Sequence, residues 1–360
     1  MSDISSAVDA VEAHWRVPVP GSFRRLYAAP DFQCLWACAF LSVEEIEADL
    51  ERHSGMLPAF LPFGRGADDD LYGFYALGEP AGRDLPVLRW SAAGDHYHPV
   101  ATGFDSFLLT AMVLGRHAFA ESGDPGEERQ ELECQSAIAE ATAITLPEAL
   151  NRSPRNEAEL LQQWLDVDPR APEALLHAAC RALQVGEIER SRDLLTRASE
   201  TAPRFADPYY LLAQTYARHG QITAAMPRWW EVLQCPIALS TRTCRYDLGL
   251  DHPDLEIHEA ATRELMPHLG ATPAHIRTSR LASFLQHEGQ YRSAVRIPLA
   301  DDLLRDGDIE GAEREYLNAL ALATQRSEER LAYDRLVSLY DRLGRTREAG
   351  RCRADSELPT

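Results

Sequence analysis

Lysine is missing from this 360-residue chain, and all 36 basic side chains are arginine. That excludes chemistry that needs a side-chain amine, including a phosphate-loop lysine, a Schiff base and a Ser-Lys dyad. No stretch approaches the ~18 uninterrupted apolar residues of a membrane span. The opening MSDISSAVDAVEAHW has neither the basic start nor the long apolar run of a secretory leader. A cytosolic protein without a membrane partner is therefore expected. Seven scattered cysteines (34, 38, 134, 180, 235, 244 and 352) form no C-x-x-C pair, as in reduced intracellular proteins. Cys34 and Cys38 read as small buried hydrophobes in DFQCLWACAFL. The G-x-S-x-G elbow, His-Glu-x-x-His spacing and the D-x-D-x-D-G calcium loop are all lacking. A Cys/His pair is not ruled out by pattern, and nothing favours one.

Acidic residues outnumber basic ones along the whole chain, giving a net charge of −20. Residues 1–121 hold 17 acidic side chains against 8 arginines, and residues 122–360 hold 39 against 28. Such a chain repels a phosphate backbone, so nucleic acid is not an expected ligand. A basic protein would be attracted and steered on approach.

The most structured pattern lies between Leu57 and Leu109. MLPAFLPFGRGADDDLYGFYAL reads as two apolar strands around an acidic turn. LPVLRW adds a third strand ending on Trp90, and HPVATGFDSFLLTAM closes the unit with a Phe-rich helix near 104–120. Helices are also expected near 4–15, 20–28 and 42–52, the last because Ser42 and Glu45 form a capping-box pattern. In order and spacing, this region resembles the SUKH superfamily (Smi/Knr type) over roughly residues 5–120. Phe60, Leu61, Pro62, Phe63 and Gly64 match the approach to its acidic turn, and Leu71, Tyr72, Gly73 and Phe74 match the strand leaving it. Pro86, Val87, Leu88, Arg89 and Trp90 are similar to its next strand. Val100, Ala101, Phe104, Phe107 and Leu108 are similar to its closing helix, and Val17, Pro18, Val19, Pro20, Phe23, Arg24 and Leu26 to its helix start. The family carries more glycine in the turn, where this chain has Ala67, Asp68, Asp69 and Asp70. The resemblance implies an α+β SUKH-like domain, a sheet packed with helices, with no cofactor and a role in protein binding.

Ser122, Gly123, Asp124, Pro125 and Gly126 read as a linker. The expected division is a domain at 1–121, a linker at 122–126 and a helical domain at 127–360. Beyond the linker no strand pattern remains. Gly186 and Gly220 lie 34 residues apart, as do Ile188 and Ile222, and Pro169 and Pro203. Gly307 and Gly344 sit in similar settings, and a fainter unit surrounds Gly289. A period of 34 with a small residue at the inter-helix turn points to tetratricopeptide-like repeats, an all-α superhelix. Tyr209, Leu212, Ala213, Tyr216, Ala225 and Pro236 continue the likeness in one unit, and Ile309, Ala312, Tyr316 and Ala319 in another. Residues 238–275 break the register, as a loop and then a helix to about 269.

Several residues are candidate contacts for a protein partner. In the first domain they are Asp68, Asp69, Asp70, Tyr72, Trp90 and Asp95. In the repeats, the first helix of each pair would line a concave face and expose Glu173, Cys180, Gln184, Asp207, Tyr210, Gln214 and Arg218. Lysine is absent and asparagine scarce, so a clamp for an acidic C-terminal peptide is not expected. Trp229 and Trp230 read as packing residues. His96 and His98 would share one side of the chain if it were extended, but the stretch reads as a loop and the pattern holds no third ligand. Asp251, His252, Asp254, His258 and Glu259 form a dense His/acid cluster, explained by Asp254 capping the next helix. No metal is expected. The leading expectation is a non-enzymatic immunity protein that occludes the active site of a basic toxin, such as a nuclease. The alternative is a repeat-based scaffold or regulator with the first domain as an accessory.

Overall fold

The computed structural model describes residues 12, 18–29, 35, 37–42, 45–46, 56–66, 69–76, 85–91, 96–122, 124–241, 256–286 and 289–357. Nearly all of the helix expected at 4–15, most of that at 42–52, Cys34, Asp68, Asp95, Asp251, His252 and Asp254 lie outside these residues. The capping pair is described and reciprocal. Ser42 N–H donates to Glu45 Oε2 at 2.7 Å, and Glu45 N–H donates to Ser42 Oγ at 3.2 Å.

Five short strands form one sheet in chain order: β1 (Ala39–Phe40), β2 (Phe60–Arg65), β3 (Leu71–Tyr75), β4 (Val87–Ser91) and β5 (His96–Ala101). Pairing from β1 through β4 is antiparallel. Pattern reading finds β2, β3 and β4, but β1 is only two residues long and β5 carries a proline and two histidines. All five residues of β3 are buried, so apolar side chains cover both of its faces. Gly73 sits in β3 where a Cβ would come within 2.6 Å of the Leu61 carbonyl oxygen and 2.7 Å of the Phe60 ring. The Gly66 N–H donates to the Asp70 carbonyl at 2.7 Å and closes the turn between β2 and β3. Asp69 there has φ +60, a left-handed conformation that aspartate tolerates, so one carboxylate residue does the work of the missing glycines.

Helix α1 (Gly21–Tyr27) and helix α2 (Phe104–Ser122) supply the aromatic core against this sheet. Phe63 lies 4.7 Å from Phe74 and 5.3 Å from both Phe104 and Phe107, while Phe23 lies 5.2 Å from Phe104, between ring centroids. Most of these rings meet edge to face, which adds to the gain from burial. Phe63 marks a register shift in β2, and its carbonyl lies 2.9 Å from the Leu41 nitrogen and 3.0 Å from the Tyr27 hydroxyl.

The stretch expected as a linker is a helix start. Asp124 accepts from Gly126 N–H at 2.8 Å as the N-cap of α3 (Pro125–Thr142), which has proline in its first turn. Arg116 on α2 donates to Gln135 on α3 at 2.7 Å, so the two helices pack as a hairpin. Glycine, aspartate and proline signal either a linker or a capped helix, and only the packing partner separates the two. Helices α4 (Glu157–Val167) and α5 (Pro172–Gln184) follow. By contact density, one compact unit takes in 1–52, 59–92 and 99–178, and a second takes in 53–58, 93–98 and 179–360.

The second unit continues with α6 (Ile188–Thr201), α7 (Ala206–Arg218), α8 (Ile222–Leu233), α9 (Ile257–Leu265), α10 (Ala274–Arg277) and α11 (Arg280–Phe284). It ends with α12 (Ser293–Asp306), α13 (Ile309–Ala321), α14 (Arg326–Arg342) and α15 (Thr346–Glu357). Four hairpin turns, α5–α6, α7–α8, α12–α13 and α14–α15, share one hydrogen-bond plan. Gly186, Gly220, Gly307 and Gly344 all have positive φ, between +70 and +86. The residue after each glycine donates its N–H to the carbonyl four residues before that glycine: Glu187 to Ala182, Gln221 to Tyr216, Asp308 to Leu303 and Arg345 to Tyr340. This is the Schellman ending, which satisfies the last carbonyls of a helix through one left-handed residue. Ala213, Ala225 and Ala312 are fully buried, as close approach of neighbouring helices requires. The tetratricopeptide-like pattern is thus realised as physical hairpins.

One buried charge network braces α12 and α13. Glu315 accepts from Arg296 at 2.5 Å and from Arg314 at 2.8 Å, with all three side chains below a tenth exposed. Burial alone would raise the Glu315 carboxyl, but the two guanidinium groups hold it below its ordinary value. Removing Glu315 would leave both guanidinium groups without their shared counter-charge in the interior. Near the C-terminus the balance tips the other way. Burial pushes the Asp355 carboxyl up to about 6, although Arg351 lies 3.0 Å away.

Gly220→Ala forces a Cβ into a left-handed residue with open space around it, and should lower the unfolding free energy by about 1–2 kcal/mol in urea titration. Gly270→Ala, equally open but without positive φ, should stay within about 0.5 kcal/mol. For Asp355, the native state keeps its proton longer than the unfolded chain, so its contribution is full below about 3.8 and declines as pH rises to about 6. The stability difference between the wild type and Asp355→Asn should therefore shift against the wild type by roughly 2–3 kcal/mol across that window, and stay flat above it. A pH series of urea midpoints measures it.

Candidate functional site

Two groups of side chains gather the residues that the pattern singles out. The first lies beside the acidic turn. Arg89 on β4 is paired across the sheet with Tyr72 on β3, and its guanidinium lies 3.8 Å from Asp70 and 3.0 Å from Glu173. Glu173, Asp70 and Tyr72, candidate contacts drawn from separate stretches of sequence, thus meet on one arginine. The Glu173 charge is the main reason the Arg89 guanidinium is held even more firmly protonated than usual. Burial pushes the Tyr72 hydroxyl far above its ordinary range, though Arg89 pulls the other way. Trp90 is buried in the same sheet. Of the described residues of the turn, only Asp69 presents its carboxylate, 82% exposed, with Arg65 at 3.6 Å. The expected open contact surface of Asp70, Tyr72, Trp90 and Glu173 is instead largely an internal ion-pair and packing cluster.

The second group is on α7. Asp207, Tyr210 and Gln214 were expected to be open to a partner, but they are 0%, 1% and 4% exposed. The chain's own segment Pro236–Thr241, buried at every residue, lies against the Asp207 end of this helix. Thr241 grips Asp207 twice: its N–H donates to one carboxylate oxygen at 3.1 Å and its hydroxyl to the other at 2.6 Å. Ala206 N–H donates to the Leu239 carbonyl at 3.0 Å. On the other side, Ile237 N–H donates to Asn318 Oδ1 of α13 at 2.8 Å. Two further pieces of the second unit complete the setting. Tyr97 N–H donates to the Ala238 carbonyl at 2.9 Å, and the Tyr97 hydroxyl accepts from Leu57 N–H at 2.7 Å. Gln184 and Arg218, the outer members of the expected face, are exposed.

Thr241 and Asn318 escape a reading by motif. A signal for Thr241 exists all the same, because residues 173, 207 and 241 are spaced by the repeat period of 34. Where a third helix would begin in register, the chain instead turns back, with the Leu239 N–H bonded to the Pro236 carbonyl at 3.0 Å. Asn318 lies 81 residues from Ile237, and no local pattern links them. Arg89 is visible in the sequence only as a strand residue.

The remaining candidates serve packing. His96 and His98 are in a strand, not a loop, with ring centroids 4.8 Å apart, and His98 lies 6.4 Å from the Phe205 ring. His258 Nε2 lies 3.0 Å from the Cys235 carbonyl, just ahead of the buried segment. Trp229 is fully buried, stacked at 6.5 Å on His268. Burial pushes the Cys180 thiol up to about 12, and the Cys235 and Cys352 thiols are raised further by the same cause. These sulfurs are held as thiols, the unreactive form. Among the described residues, no group of three or more His, Cys, Asp or Glu side chains stands within reach of one metal ion. No helix among them is long and apolar enough to cross a membrane.

No family model matches this chain, so the SUKH resemblance rests on its motifs alone. No curated protein matches it either. Solved structures do align with it. The Pseudomonas aeruginosa pilF structure covers 69% of this chain and 90% of its own, at 12% identity and a TM-score of 0.26. A MamA structure (MSR-1) covers 71% and 95%, at 16% identity and 0.21. The TPR domain of P58(IPK) covers 69% and 64%, at 16% identity and 0.20. Superposition this loose carries no functional argument.

The grip on Thr241 yields a stability prediction. Thr241→Val keeps the shape and removes only the hydroxyl donor to a buried carboxylate, so it should lower stability by about 1.5–3 kcal/mol in urea titration. Thr201→Val, which removes an exposed hydroxyl bonded within its own helix, should change stability by less than about 0.5 kcal/mol.

Proposed function

We propose that this chain is a non-catalytic protein-interaction scaffold, with its helical hairpins as the binding element. The observation that carries this reading is the repeated hairpin, four times closed by the same glycine-centred turn. Helix pairs of this kind bury one face against their neighbours and leave the other to a partner. Thiols held protonated by burial also favour binding over nucleophilic chemistry. A net charge of −20 favours a basic protein partner, attracted at long range.

A second reading keeps the sheet-bearing unit as the binder, a toxin-neutralising role in which Asp69 contacts the basic partner. The exposure of the Asp69 carboxylate supports it, while the pairing of Asp70 and Glu173 with Arg89 weakens it.

The absence of lysine makes amine-directed cross-linkers a poor choice, so the test uses a photoreactive residue placed singly at Gln184, Arg218 or Asp69 of the full chain. After irradiation in the native host, the scaffold reading predicts one common partner joined at Gln184 and Arg218. Their yield should exceed that at Asp69 by at least about tenfold. Adducts confined to Asp69 would transfer the binding role to the sheet-bearing unit.

A further inference from the structure

We infer that Pro236–Thr241 is an internal ligand, seated on a peptide-binding face built by α7 and α13, and that the partner it stands in for is a short peptide of the same chemistry. That chemistry is a tight turn of apolar, small and apolar side chains followed by two hydroxyl residues. The inference rests on the scaffold reading and specifies what the hairpins bind.

Three observations carry it. The contacts to this segment are largely the ones a protein uses to hold a peptide main chain: Asn318 Oδ1 takes the Ile237 N–H, Asp207 takes the Thr241 N–H, and the Ala206 N–H meets the Leu239 carbonyl. Contacts of this kind read backbone, so any chain of matching shape can make them. The segment is also folded largely by its own bonds. Leu239 N–H to the Pro236 carbonyl closes a turn, and Ser240 Oγ donates to the Ile237 carbonyl at 2.8 Å, so the same six residues on another chain can carry the same shape. Finally, the same side of α7 holds a buried donor that nothing answers. Gln214, two helical turns beyond Asp207 on the same side of α7, is 4% exposed, yet its Nε2 has no hydrogen-bond partner. A buried amide donor without an acceptor costs about 1–3 kcal/mol, so a peptide that brings a carbonyl to it gains what the internal segment does not supply.

The test is hydrogen exchange on the unmodified full chain, resolved at single amides, with and without a capped Pro-Ile-Ala-Leu-Ser-Thr peptide at millimolar concentration and a scrambled control. If the segment leaves its face as a local event, the Ile237, Thr241 and Ala206 amides exchange together and at least about tenfold faster than those of Leu212 to Thr215 inside α7. The peptide, and not its scramble, should then speed exchange at Ile237 and Thr241 at least about threefold by holding the internal copy off. Exchange of the three amides in step with the interior of α7 would make the segment a permanent part of the core and overturn the inference. Local opening without any response to the peptide would overturn it too, because the face then accepts only its own chain. Neither result alters the cross-linking pattern at Gln184 and Arg218, so loss of this inference and loss of the scaffold reading are told apart.

Discussion

A carboxylate with no exposure to water must find its donors inside the protein, and for Asp207 two of them arrive on Thr241. Much of the second unit depends on that meeting. It turns the chain after α8 back over α7, places Ile237 against Asn318 and brings Ala238 to Tyr97. Leaving such a group unanswered costs several times what a typical hydrogen bond contributes, so the register of the segment is set by need more than by apolar fit. Apolar burial alone would tolerate Ile237 and Leu239 sliding by a residue. The paired oxygens of Asp207 would not.

The hairpins rest on a different economy. Each of their four turns places one glycine in the left-handed region and closes the same pair of backbone bonds, so the last carbonyls of the first helix are met by backbone alone. Side chains are then left for packing, as with the buried Ala213 and the arginines around Glu315. In the first unit the acidic turn solves a similar problem with Asp69, whose positive φ does what glycine usually does while keeping a charge on the surface.

Much of this was readable in the chain, and the reasons for the misses differ. Glycines at a 34-residue spacing announce the hairpins because a left-handed turn has few alternatives to glycine. Strands β2, β3 and β4 are legible as apolar runs between turn signals, whereas β5 is not, since His96, His98 and Pro99 look like loop residues until their neighbours are known. Asp124 and Pro125 mark a helix start that resembles a linker until α3 is seen packed on α2. The side of α7 expected to be open to a partner is buried instead. Helical periodicity says which side of α7 Asp207, Tyr210 and Gln214 share, and nothing about which distant stretch covers that side. Arg89 was equally hidden, because its ties to Asp70 and Glu173 span 19 and 84 positions of chain.

The tie between Ile237 and Asn318 also sets an order of events during synthesis. Ile237 leaves the ribosome 81 residues before the side chain that receives its amide, an interval of roughly 4–16 s at ordinary elongation rates. Through that interval α7 and α8 are complete while the segment that seals them has only one of its two anchors. A nascent chain in this state can already bond Thr241 to Asp207 but leaves the Ile237 amide unanswered, and co-translational chaperones would meet that short apolar stretch before Asn318 receives it.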